Sequence, residues 1–252
     1  MKTLLRSSLS SVLYHGQKWL GNRSLGVRIL TYHRVNDETS NYVTVPVRLF
    51  EEQINYLASE GFKTITLTDL LNGQYDERSI VITFDDGFGD NFENAFPILK
   101  RYGFQATIFC ITNKINKLGY LDLSEIKEMN HAGFSFGSHT NSHLHLASLG
   151  REQKWKEITS SKKILEDMLG TEISFFCYPY GEYDQETIDF VWQAGYSGAC
   201  TNIPGGNGEY IHPCLLRRTE ISSSDTLFDF EKKIAGAFDL LHKSLHWIRR
   251  KP

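Results

Sequence analysis

Two adjacent carboxylates at the end of an apolar run are the first chemical signal in this chain. Thr83-Phe84-Asp85-Asp86-Gly87 closes Ser79-Ile80-Val81-Ile82, which reads as a short buried strand. Packing does not ask for two like charges side by side, because each raises the cost of the other. A cation removes that cost by taking one carboxylate as a ligand and leaving the other free as a base. Further ligands are offered by His139 and His143. Their i, i+4 spacing brings both imidazoles to one side of a helical turn. Two neutral imidazoles and one carboxylate make a three-ligand site with a place open for water. The histidine spacing alone is a weak signal, and Asp-Asp-Gly at a strand end makes it strong. His145 competes as a chelating partner of His143. The i, i+4 pair is preferred, because His139 directly follows an expected strand and His145 is followed by the apolar Leu146.

Two further elements fit the same chemistry. In Tyr178-Pro179-Tyr180-Gly181 the proline fixes the chain and the glycine permits an unusual turn. Such a turn exposes a backbone N–H, and the Tyr180 amide is placed to face a developing oxyanion. Taken alone, Pro-Tyr-Gly is an ordinary turn. His33 ends the run Leu30-Thr31-Tyr32-His33. Amide hydrolysis needs a proton delivered to the leaving nitrogen, a task that suits a histidine near neutral pH.

Positioning these groups requires strand ends on one rim. Strands are expected at 27–32, 63–66, 79–84, 105–111, 134–138, 173–178 and 197–201, and helices at 50–60, 91–102, 123–131, 153–169 and 185–194. This alternation predicts a parallel sheet with crossover helices, closed as a distorted (β/α) barrel of about seven strands. Asp85, Asp86, His139 and Tyr180 all fall just past the C-terminal ends of expected strands, where a barrel carries its chemistry. An open doubly wound sheet would normally carry a glycine-rich phosphate loop after its first strand, and Tyr32-His33-Arg34-Val35 is not one.

Composition sets the outer limits. The 252 residues carry a net charge of -3, which gives no reason to expect nucleic acid as a partner. Four cysteines lack CxxC spacing, which argues against a zinc ribbon or a redox motif. Aromatic residues make up 13% of the chain, a share that suits a sugar cleft but suits an ordinary core better. No stretch is long and apolar enough to span a bilayer, and no signal peptide is read at the N-terminus. A cytoplasmic location is therefore expected. Residues 1–26 form a basic segment, and residues 27–252 are expected to be one barrel with a C-terminal amphipathic helix. That helix shows an apolar stripe from Leu227 to Ile248 and ends Arg249-Arg250-Lys251. A solvated terminal helix is the plainer reading of the basic ends; peripheral contact with an anionic membrane is the other.

The three motifs, in this order, resemble those of the polysaccharide deacetylases, the NodB-homology domain of carbohydrate esterase family 4. The resemblance runs over roughly residues 27–220. It implies a distorted (β/α) barrel and a divalent metal, usually zinc. It also implies Asp85 as base, Asp86, His139 and His143 as metal ligands, Thr140 as a brace and the Tyr180 amide as oxyanion donor. Two departures stand out. Cys177 occupies a position where the family often has arginine, and no late histidine motif is evident, since His242 and His246 lie on the terminal helix. Both departures resemble the subgroup that deacetylates bacterial exopolysaccharides such as poly-N-acetylglucosamine, in which the motif order is permuted and an N-terminal Tyr-His supplies the acid. Tyr32-His33-Arg34-Val35 fits that pattern, as does Val45-Pro46-Val47-x-x-Phe50. By the same resemblance Arg218, with Arg217 beside it, takes over the missing arginine and orients Asp85.

The expected function is therefore metal-dependent removal of N-acetyl groups from N-acetylhexosamine residues of an oligo- or polysaccharide. A carbohydrate O-acetyl esterase and a non-catalytic sugar-binding module are the alternatives.

Overall fold

The structure, a computed structural model, describes residues 26–38, 41–208 and 211–239. Ten strands follow in chain order: β1 Arg28–Tyr32, β2 Arg34–Val35, β3 Thr44–Val45, β4 Lys63–Thr64, β5 Ser79–Phe84, β6 Thr107–Cys110, β7 Ser135–Ser138, β8 Phe175–Cys177, β9 Gly198–Cys200 and β10 Thr219–Glu220. The α-helices are α1 Val47–Ser59, α2 Leu67–Leu71, α3 Phe96–Arg101, α4 Leu123–His131, α5 Arg151–Leu169, α6 Gln185–Gln193 and α7 Leu227–Ile234. Among the described residues no helix is long and apolar enough to cross a membrane.

The main sheet is parallel throughout, in the order β10-β1-β5-β6-β7-β8-β9, with β4 added beside β5. Seven strands thus form the path, and the short β4 is an eighth. One segment touches both ends of that path. Leu216 bridges Cys200 of β9, while Thr219 and Glu220 pair with Leu30 and Thr31 of β1. The sheet curls, and this stretch closes it irregularly, which is the expected distorted barrel.

Every residue of β1, β5, β6, β8 and β9 is buried, on both faces, as parallel strands covered by helices must be. Their side chains alternate between two clusters. Ile80, Ile82, Phe84 and Phe176 pack outward with helix residues such as Ile54, Leu57, Ile126 and Ile158. Ile29, Val81, Phe109, Phe175, Cys177 and Cys200 fill the interior. Gly137 allows that filling, because a Cβ there would lie 2.5 Å from the Phe109 ring. Past the strand ends the inward parity continues to His33, Asp85 and His139, and side chains of that parity meet at the barrel mouth.

Several elements differ from expectation. Helix α1 begins at Val47, one turn before Phe50, because Pro46 stands just ahead of the first turn, where its missing N–H costs nothing. Helix α2 was not anticipated; five residues carry no periodicity, and its start is fixed by the Thr66–Asp69 capping box. The 91–102 helix is a π-helical stretch at Asn91–Ala95 followed by α3, with Pro97 tolerated in the first α-turn. Helix α7 buries Phe230 and Ile234 on the barrel. Leu241, Leu245, Ile248 and the basic C-terminal end lie outside the described residues, as does the basic segment up to residue 25.

Candidate active site

The ladder between β1 and β5 runs one residue past β5, with the Asp85 N–H donating to the Tyr32 carbonyl at 2.9 Å. The chain then turns through two left-handed residues, Asp86 at φ 74° and Gly87 at φ 72°. This turn brings Asp86 Oδ1 to 3.5 Å from His139 Nε2 and 3.4 Å from His143 Nε2. That oxygen is buried and has no hydrogen-bond partner. Ligand atoms about 2.0–2.1 Å from a tetrahedral ion stand roughly 3.3 Å from one another, so the three side chains fit a shared divalent cation.

The histidines are prepared for that role. His139 Nδ1 is 2.8 Å from the Cys177 carbonyl, which can only accept, so the ring donates there and turns the Nε2 lone pair toward Asp86. Burial, and then the charge of His139, push the His143 pKa down to about 4, which keeps its ring neutral near pH 7. The loop between them is not the expected helical turn. Thr140 and His143 are both left-handed, at φ 65° and 57°. Thr140 Oγ1 accepts from the His143 N–H at 2.9 Å, and the Glu157 carboxylate on α5 accepts from the Ser142 N–H at 2.7 Å. The i, i+4 pair thus converges on Asp86 from a left-handed loop and not from a helical turn.

Beside this group lies an ion pair. Asp85 and Arg218 are each 2% exposed, and the guanidinium donates one hydrogen bond to each Asp85 oxygen, both at 2.7 Å. Burial alone would raise the Asp85 pKa; the charge and hydrogen bonds of Arg218 outweigh it and hold the carboxyl well below the usual carboxylate range. Arg218 also donates to the Thr201 carbonyl at 2.9 Å and to Asn202 Oδ1 at 2.8 Å. Its neighbour Arg217 is tied through its backbone to Asn207 instead. Cys177 Sγ lies 3.1 Å from Arg218 Nη2. Burial keeps this thiol protonated, and its small side chain adjoins the guanidinium that the closing segment between β9 and β1 brings in.

His33 follows β1, and its Nδ1 is buried without a partner. In the β1–β5 register Tyr32 lies opposite Phe84, so His33 and Asp85 leave adjacent strand ends at the same mouth. Two residues overlooked in the sequence hold its loop. Asn91 Nδ2 donates to the His33 carbonyl at 2.8 Å, and the Asp90 carboxylate accepts from Arg34, Val35 and Asn36. The available signal was their place in Asp85-Asp86-Gly87-Phe88-Gly89-Asp90-Asn91, four and five residues beyond Asp86.

Tyr180 is left-handed at φ 59°, and its half-exposed ring meets the edge of His143 at 4.6 Å. His145, the rival ligand, stands outside the cation group and stacks on Tyr180. Among the described residues five non-glycine positions have positive φ, and Asp86, Thr140, His143 and Tyr180 are four of them. Backbone strain is thus concentrated where the chemistry-bearing side chains converge.

A family model described as polysaccharide deacetylase matches residues 72–199. The chain is 34% identical over 199 residues to YxkH of Bacillus subtilis, covering 77% of this chain and 71% of that one. It is 31% identical over 226 residues to a poly-β-1,6-N-acetyl-D-glucosamine N-deacetylase of Staphylococcus aureus, covering 74% and 77% of the two chains. Among solved structures, the deacetylase PplD of Streptococcus pyogenes, in complex with acetate, superposes with a TM-score of 0.77 at 25% identity. The match covers 82% of this chain and 97% of that one.

Proposed function

The chain belongs to the polysaccharide deacetylase family, and from that premise we propose that it is a zinc-dependent hydrolase removing N-acetyl groups from a poly-N-acetylglucosamine-type exopolysaccharide. The staphylococcal relative, named for that polymer, supports the substrate class. The observation that carries the reading is the orphaned Oδ1 of Asp86 facing Nε2 of His139 and His143 at 3.5 and 3.4 Å. Two imidazoles with one carboxylate suit zinc.

When bound, a divalent cation supplies an acidic water and polarises the acetyl carbonyl. The chain's own groups do the rest. Asp85, kept ionised and fixed in direction by Arg218, takes the proton of the attacking water on its carboxylate. The Tyr180 N–H faces the oxyanion of the tetrahedral intermediate, and a donor in that role is typically worth about 3 kcal/mol. His33 protonates the departing nitrogen, so that acetate and a free amino sugar leave. Asn91 and Asp90 hold the loop that presents His33.

The test is acetate release from defined β-1,6-linked N-acetylglucosamine oligomers and from O-acetylated counterparts. Release from the N-acetyl substrate, abolished by chelator and restored by zinc, is expected. Release from O-acetyl substrates alone would overturn the proposal.

A further inference from the structure

The geometry points to His145 as a positioning residue that clips the loop carrying His143 to the turn carrying Tyr180, an inference that rests on the deacetylase reading. Its ring lies flat against that of Tyr180, with centroids 4.0 Å apart and planes within 9°. Its Nδ1 stands 2.8 Å from Glu182 Oε2, and because a carboxylate accepts, the imidazole donates. Tyr180 and Glu182 belong to the same turn. His145 therefore holds that turn at two points while lying two residues beyond His143 in its own loop.

The turn needs such a hold. Tyr180 adopts φ 59°, a conformation that an L residue takes only against a steric cost. Its ring is 51% exposed, so core packing does not fix it. One face rests on His145, and another side meets the edge of His143. The other flank of the turn is already pinned. Gly181, at φ 68°, packs so closely on Asn202 that a Cβ there would come within 2.7 Å of the Asn202 Cβ. Asn202 in turn accepts a hydrogen bond from Arg218, the partner of Asp85. The Tyr180 peptide is thus held between two clamps, one reaching Asp85 through Asn202 and Arg218, the other reaching the His143 loop through His145. Removing the second leaves that side of the turn held only by the edge contact between Tyr180 and His143. An oxyanion donor that drifts loses its effect in the transition state while leaving ground-state binding alone.

The experiment compares the zinc-loaded full chain with its His145→Ala and His145→Phe variants, using acetate release from N-acetylglucosamine oligomers and hydrogen–deuterium exchange over residues 178–183. Phenylalanine keeps a flat ring for Tyr180 and removes the polar atoms. For His145→Ala, kcat is expected to fall about five- to tenfold, the loss of one ring-stacking contact, with KM changed less than about twofold. Exchange in the 178–183 segment should quicken. His145→Phe, which keeps the stack and loses the Glu182 bond, should restore part of both. The inference is overturned by an unchanged kcat in His145→Ala, by a change confined to KM, or by exchange over 178–183 that does not quicken. A wild-type chain that releases no acetate counts against the deacetylase reading instead, and the exchange comparison still tests the clip.

Discussion

Replacing Arg218 by methionine probes how the site keeps a buried charge. The guanidinium gives Asp85 two hydrogen bonds of 2.7 Å in a setting where each residue is 2% exposed. Methionine occupies much of the same space but leaves the carboxylate only the weak donor Cys177 Sγ, 3.6 Å away, in place of two charged hydrogen bonds, with the His139 ring nearby. Removing one partner of a buried pair costs roughly 3–5 kcal/mol, because the remaining charge stays uncompensated. The Thr201 carbonyl and Asn202 Oδ1 lose their donor as well, which places the expected loss in the upper half of that range.

The pH dependence gives this prediction a sign. In the wild type the folded pKa of Asp85 lies below its unfolded value. Its stabilisation is therefore complete above the ordinary carboxylate range and disappears as pH falls through the folded pKa. Without Arg218, burial dominates and the folded pKa rises above the unfolded one. The variant then tolerates neutral Asp85 at low pH and loses stability as pH increases. Urea unfolding with chelator present, at about pH 5 and pH 8, should show the gap from wild type widening with pH. Adding Asp85→Asn to Arg218→Met should recover part of the loss, and Arg217→Met should stay within about 0.5 kcal/mol of wild type. A gap under about 1 kcal/mol, or one independent of pH, would refute the reasoning.

Asp85→Asn should retain the metal and lose about 10²–10⁴-fold in turnover, measured by metal analysis beside acetate release; an empty site in that variant would count against the division of labour between the two aspartates. His139→Ala and His143→Ala should each lose bound zinc, and a full equivalent retained in either would remove that residue from the ligand set. His33→Ala should lower turnover by about 10²-fold with zinc content unchanged, and unaltered turnover would take His33 out of the mechanism. Asn91→Ala, which frees the His33 carbonyl, should give a smaller loss in the same assay.

The fold was legible where burial is two-sided and helices are capped. Ser79–Phe84 is apolar apart from Ser79 and Thr83 and matches its expected strand residue for residue, and Leu123–His131 likewise matches its expected helix, although its cap is Asp122 and not Ser124. Pro46 hid the start of α1, because a proline just ahead of a helix looks like one that breaks it. The site was legible by residue type and less so by shape. No compositional mark distinguishes a threonine or histidine that will sit left-handed, so His139 and His143 read as a helical pair when they occupy a strained loop. Choosing between Arg217 and Arg218 needed a register that the sequence does not carry. Leu216 pairs to one edge of the sheet and Thr219 to the other, and only that placement sends residue 218 inward.

The same geometry explains why strain gathers at the mouth. Asp86, His139, Tyr180 and His33 lie just beyond inward-facing strand ends, where the ladder stops and the chain must leave without carrying its side chains away. Left-handed residues make that turn abrupt, at a cost of about 1–2 kcal/mol each. The offset comes from bonds made by the loops themselves: Thr140 to the His143 N–H, Glu157 to the Ser142 N–H, Asp90 to the Val35 N–H. None of these belongs to the ladder or to the interior cluster. Weakening them should therefore alter the spacing of the convergent groups before it alters the stability of the barrel. The strands set where the chemistry sits, and the side-chain-to-backbone bonds of the loops set how closely the groups meet.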